Sequence, residues 1–164
     1  MKSLISTLLF SCLLLLPGLA AADKPGDSRA LSGIDTGRIL WDITIGDPER
    51  MISRLSVIEE TYDDMLRQDV QPMMIFTFRG GAAGLLARDL DRLELEDASA
   101  VAHVHERLQG LLDRSGVHME ACAIATRRVG LEQQDLIPGV QLVGNTFLSI
   151  MGYRQKGYTT IRID

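Results

Sequence analysis

Cys122 is the residue whose type and setting offer the most chemistry. It closes an apolar run, Val117 to Cys122, and opens a stretch from Ala123 to Val129 that reads as a short helix. The thiolate rather than the thiol is the nucleophile. A helix N-terminus favours it by presenting unpaired N–H groups and the positive end of the helix dipole. Arg127 and Arg128 follow one to two turns later and would add positive potential if either folds back. A plainer reading stands beside this one. Cysteine is among the most buried residue types, and a lone one in an apolar stretch packs as a small hydrophobe. Position alone leaves both open.

The other reactive side chains offer less. His103 and His105 lie two apart on a helical pattern, face different directions and cannot share one ion. His118 shares a strand face with Cys122, but at ~3.3 Å per residue it is about 13 Å away, beyond proton-transfer reach. One cysteine and three scattered histidines give no ligand set, so no metal is expected. Gly80-Gly81-x-x-Gly84 lacks the lysine and hydroxyl of a phosphate loop and the full dinucleotide fingerprint. No cofactor is expected there, and a flavin or nucleotide protein is the weakest reading. These glycines fit better where one loop passes close to another. Met73, Met74, Met119 and Met151 read as core or subunit-contact filler. Glu59-Glu60 and Asp63-Asp64 read as the solvated face of their helix.

The elements that must position Cys122 follow from pattern. Ile39 to Ile45 is apolar and β-branched and reads as a strand ending at Gly46. Asp47-Pro48-Glu49 supplies an N-cap, a proline at the first helical position and an acid in the first turn. Met51, Leu55, Ile58, Tyr62 and Met65 then recur at helical spacing, giving an amphipathic helix over 48–67. Val70 to Phe78 is a second strand, with Pro72 tolerable only near its start, and Arg79-Gly80-Gly81 turns out of it. Ala82 to Ala87 reads as one or two helical turns, and residues 88–97 as a charged connection. A second long helix begins near Asp97 and stops at Ser115-Gly116. Val117 to Cys122 is the third strand and Val140 to Val143, after Pro138-Gly139, the fourth. Asn145 caps a helix to about Lys156, and Tyr158 to Ile163 is the fifth strand. Strands and helices alternate and the strands read as apolar on both faces. That argues for an α/β domain over 38–164, a parallel sheet with helices on both sides. Ligands of such sheets gather beyond the carboxyl ends of the strands. Arg79-Gly80-Gly81, Cys122 and Gly144-Asn145-Thr146 all fall there.

The first 22 residues have a different character. Lys2 precedes an apolar run to Leu16, Pro17-Gly18 breaks it, and Ala20-Ala21-Ala22 offers small residues where a signal peptidase cuts. The expectation is a cleaved leader over 1–22, a disordered lead-in over 23–37, and a periplasmic or secreted protein with no stable membrane insertion after cleavage. Cleavage removes Lys2, so the mature chain is one unit more acidic than the −5 of the whole. A mildly acidic chain without a basic stripe does not suit nucleic acid, nor a polybasic membrane contact. Cleavage also removes Cys12 and leaves Cys122 alone, so no internal disulfide can form.

The surroundings of Cys122 resemble the DsrE/DsrF-like family of sulfur-relay proteins. The likeness rests on Gly116-Val117, Cys122, Gly139-Val140, Gln155, Gly157-Tyr158 and Ile161, within GVHMEACAIATRRVGL and LIPGVQLVGNTFLSIMGYRQKGYTTIRI. The segments DITIGDPERMISRLSVIEETYDDML and FTFRGGAAGLL extend it over roughly Ile39 to Ile163. The resemblance implies a three-layer α/β/α domain with a five-stranded parallel sheet ordered 4-3-2-1-5, assembled as trimers or hexamers. It implies that Cys122 accepts sulfane sulfur from a donor or partner sulfur-carrier protein and passes it on as a persulfide. Arg79, Gly80, Gly81, Gly144 and Asn145 would converge on it as the binding loops. A carrier is expected rather than a turnover enzyme, because no general base stands beside the cysteine. The alternative is an oligomeric binding or scaffold protein in which Cys122 is only packed.

Overall fold

A computed structural model describes residues 24–91 and 95–164. The expected leader lies outside the described residues. The sheet has five strands, β1 (Thr36–Ile43), β2 (Gln71–Phe78), β3 (Val117–Cys122), β4 (Val140–Val143) and β5 (Thr159–Ile163). Every pairing is parallel and the order is β4-β3-β2-β1-β5. Among the described residues five α-helices accompany them: α1 (Ser28–Leu31), α2 (Pro48–Arg67), α3 (Leu95–Leu112), α4 (Ala123–Thr126) and α5 (Thr146–Gln155). The chain is a three-layer α/β/α domain.

Strand alternation sorts the sheet into two unlike faces. One carries Trp41 and Ile43 of β1, Met74, Phe76 and Phe78 of β2, and Val117, Met119 and Ala121 of β3, all buried in one apolar cluster. The register sets these side by side, Trp41 against Phe76 and Phe76 against Met119. Met51, Leu55, Ile58 and Tyr62 of α2 and Val104, Leu108 and Leu111 of α3 cover them. Complete burial of side chains such as Phe76 and Phe78 contributes roughly 2–3 kcal/mol each and makes this the stabilising side. α2 starts as its sequence dictates: the Asp47 carboxylate accepts from the Arg50 N–H at 2.7 Å, with Pro48 in the first turn.

The opposite face carries Leu40, Asp42, Ile75, Thr77, His118, Glu120 and Cys122, a mixture of apolar and polar groups covered by α5. β5 is an edge strand with mostly exposed or half-buried residues, so the expectation of strands apolar on both faces fails there. Pro72 sits where β2 has β1 on one side and no β3 partner yet, since that pairing starts at Met74 and Val117. No N–H is missed.

Several boundaries differ from expectation. The lead-in over 24–37 is not structureless: α1 forms, and β1 begins at Thr36 rather than Ile39. Side-chain contacts back to α2 and its C-cap hold it, with Lys24 on Asp64 at 2.7 Å, Arg67 on the Pro25 carbonyl at 3.0 Å and Gln68 on Asp27 at 3.1 Å. The acids of α2 are therefore not merely solvated. Glu59 accepts from Arg107 of α3 and Asp63 from Arg114 just beyond its end, each at 2.6 Å. The helical turns expected over 82–87 are a tight 3-10 helix over Gly80–Leu86. The charged connection after it is shorter than expected, because α3 starts at Leu95. No helix among the described residues is long and apolar enough to cross a membrane.

Candidate functional site

Cys122 is the last residue of β3 and stands directly before α4, where strand hands over to helix. β2 and β4 flank β3, so the segments leaving three neighbouring strands meet at one end of the sheet. The sulfur is not open to solvent. Cys122 is 4 % exposed, beneath the first turns of α4 and α5.

The packing around it favours an anion. Burial pushes the Cys122 thiol up. Against this, the Thr146 N–H, the Thr146 hydroxyl and the N–H groups of Ala125 and Ile124 all stabilise the thiolate. These donors outweigh burial, and the thiol ionises below its ordinary 9.0. Two helix starts supply them: Ile124 and Ala125 open α4, and Thr146 is the first residue of α5. Thr146 is completely buried, and its hydroxyl has no hydrogen-bond partner of ordinary geometry. Leaving such a group unpaired costs about 1–3 kcal/mol, which a sulfur anion beside it would reduce.

Arg79 leaves the end of β2 and completes the electrostatics. Asp42 of β1 grips it with two hydrogen bonds of 2.7 Å, from Nε and from Nη2. That paired grip fixes the guanidinium plane, which lies 5.0 Å from the centre of the Phe147 ring of α5. Asp42 first, and the Cys122 thiolate after it, hold the arginine charged against the opposing effect of burial. One arginine thus ties β1, β2, α5 and the cysteine together.

The remaining expected residues fall in several places. Gly80 and Gly81 belong to a close crossing of loops, as the plainer reading of these glycines held. A Cβ on Gly81 would stand 2.9 Å from the Gly46 Cα, so the loop after β2 can pass the end of β1 only with both residues bare. Neither is among the groups that favour the thiolate. Asn145 spends its side chain on α5, accepting from the Phe147 N–H at 3.0 Å. Its neighbour Thr146 does what Asn145 was expected to do. Gly144 is exposed and meets nothing with its open side. Arg127 and Arg128 are exposed and do not fold back to lower the thiol. His118 is exposed on the strand face it shares with Cys122, and His105 spends a ring nitrogen on the Leu85 carbonyl at 2.8 Å.

Sequence reasoning missed three participants, Asp42, Glu120 and Tyr153, and placed Thr146 in the loop cluster without giving it a role. Asp42 sits between Trp41 and Ile43, and Glu120 between Met119 and Ala121. An acid inside an apolar strand signals a buried partner, and that was the available clue. Tyr153 donates its hydroxyl to Glu120 at 2.9 Å; burial and this carboxylate push the phenol up to about 12. Among the described residues no cluster of three potential metal ligands occurs.

Comparison with known proteins places the fold without a function. No family model matches the chain. An uncharacterized protein of Aquifex aeolicus (strain VF5) is 20% identical over 124 residues, covering 76% of this chain and 55% of that protein. The chain thus spans about half the length of this relative. A protein of unknown function from Methanobacterium thermoautotrophicum has a similar structure, with a TM-score of 0.61 and 20% identity. The match covers 77% of this chain and 99% of that one.

Proposed function

We propose that this is an exported sulfur-handling protein in which Cys122 accepts sulfane sulfur and passes it on as a persulfide. One observation carries the reading: the sulfur ends β3, buried where α4 and α5 start, and its thiol lies below its ordinary value despite that burial. A cysteine that only fills space would gain nothing from such a setting, because an apolar shell suits a thiol better. The resemblance of the segments around Cys122 to DsrE/DsrF-like proteins points the same way.

The chemistry needs no cofactor. The Cys122 thiolate attacks the outer sulfur of a persulfide R–S–SH carried by a donor. A new S–S bond forms at Cys122, the donor's own S–S bond breaks, and the donor leaves as the thiolate R–S⁻. The outer sulfur keeps its hydrogen, and one negative charge stands on each side. The reverse step hands the sulfur to an acceptor thiolate. The Thr146, Ala125 and Ile124 donors stabilise the sulfur whichever way it travels. The partners are a sulfane-sulfur donor or a partner sulfur-carrier protein, the protein works in the periplasm or outside the cell, and it assembles as a trimer or hexamer.

The 4 % exposure of Cys122 favours a second reading, a binding or scaffold protein in which the cysteine is simply packed. Thiol titration of the folded protein separates the two. The sulfur-handling reading expects Cys122 to alkylate in the native state, with a rate midpoint below pH 9.0. Labelling that appears only when the protein is denatured would leave the packed reading standing.

A further inference from the structure

A buried nucleophile must be uncovered before it can meet a partner, and the cover over Cys122 is built unlike the rest of the domain. α5 is turned inside out. Its inward residues, at helical spacing, are Thr146, Ser149, Ile150 and Tyr153, and only Thr146 is fully buried. Its outward residues are Phe147, Leu148 and Met151, 58 %, 62 % and 53 % exposed. α2 does the reverse, burying Met51, Leu55, Ile58, Tyr62 and Met65. Three buried side-chain atoms among the described residues lack any hydrogen-bond partner: Glu120 Oε2, Thr146 Oγ1 and Thr160 Oγ1. All three lie in the layer between α5 and the sheet. Among the described residues, a side-chain hydrogen bond of ordinary geometry crosses that layer from Tyr153 Oη to Glu120 Oε1. Glu120 is 8 % exposed and lies two residues before Cys122 on the same strand face.

We propose that the Glu120–Tyr153 hydrogen bond is the clasp that holds α5 over Cys122, and that α5 lifting from the sheet admits the partner. Glu120 and Tyr153 are then positioning residues: they act on Cys122 by keeping Thr146 seated against it. Elements with few buried apolar contacts open at lower free energy than the whole fold, and α5 is such an element. The charged and titratable groups on this side of the sheet are Arg79 of the β2 end, Asp42 that grips it from β1, and Glu120 of β3 bonded to Tyr153 of α5. The proposal deepens the sulfur-handling reading, and what it adds is how the sulfur is reached.

The test is the rate at which a small alkylating agent labels Cys122 in the full folded chain, across pH and at sub-denaturing urea. Tyr153→Phe and Glu120→Leu each remove the clasp. Both are expected to label about tenfold faster or more, the effect of losing one hydrogen bond, with the rate midpoint moving up toward 9.0 as Thr146 is unseated. Glu120→Gln keeps an acceptor for Tyr153 and is expected to label like the wild type. In the wild type, labelling should depend on urea far less steeply than global unfolding does. Two results would overturn the proposal: folded clasp variants that label at the wild-type rate and midpoint, or wild-type labelling with the full urea dependence of global unfolding. The second needs no variant to fold. Alkylation does not depend on sulfur transfer, so the clasp can fail while persulfide formation succeeds, and the reverse.

Discussion

Cys122 shows how a single sulfur can be packed and primed at once. Burial alone raises a thiol, and only the donors from Thr146, Ala125 and Ile124 turn the balance. Because the folded thiol ionises below its ordinary 9.0, this residue contributes stability as the thiolate. That contribution is full above the unfolded value and is lost as pH falls through the folded one. Unfolding of wild type against Cys122→Ser, measured between pH 6 and about 10, should show the wild-type advantage growing with pH. A difference independent of pH would mean no thiolate is favoured. Asp42 is the second residue to test. Asp42→Asn leaves the Arg79 guanidinium without its carboxylate in a largely buried place. Chemical denaturation should show a loss of about 3 kcal/mol, the low end for a broken buried pair because Arg79 keeps some contact with solvent. A loss under about 0.5 kcal/mol would place the pair among ordinary surface ion pairs.

At the scale of elements, much of the frame was legible. Asp47-Pro48 and the run from Met51 to Met65 put α2 where it stands, because cap, proline and apolar spacing agree. Val117 to Cys122 and Val140 to Val143 are strands to the residue. The three strand ends do meet around Cys122. What could not be read was which atom of each loop reaches the sulfur. Asn145 and Thr146 are both small and polar at a helix start, and only the turn's geometry decides that Asn145 caps Phe147 while Thr146 faces Cys122. The lead-in misled for a similar reason. Its small polar composition carries no periodic signal, and its order depends on distant residues such as Asp64 of α2 and Gln68 at the end of that helix. The glycines of the β2 loop were better served by their plain reading. Gly81→Ala would drive a Cβ to 2.9 Å from the Gly46 backbone. A loss of about 1–3 kcal/mol is expected from such overpacking, read as a fall in thermal midpoint. An unchanged midpoint would mean the two loops can separate freely.

The whole molecule is lopsided. One face of its sheet is closed by α2 and α3 over a continuous apolar cluster. The other is closed by α5, which turns Phe147, Leu148 and Met151 outward. An oligomer that covers these three residues would reconcile their exposure with an otherwise ordinary core. Analytical ultracentrifugation of the mature chain is expected to give a trimer or hexamer, and Leu148→Glu to weaken it. A monomer at all concentrations would remove this part of the account. Export is tested separately: the protein recovered from its native host should begin at Asp23, and a chain that retains Met1 would contradict the leader.

The measurement closest to the central claim is intact-protein mass spectrometry after exposure of the folded protein to polysulfide, with Cys122→Ser alongside. The account predicts a mass gain of one or more sulfur atoms, located on Cys122, removed by a thiol reductant and absent from the variant. A native protein whose Cys122 alkylates readily yet gains no sulfur would contradict it.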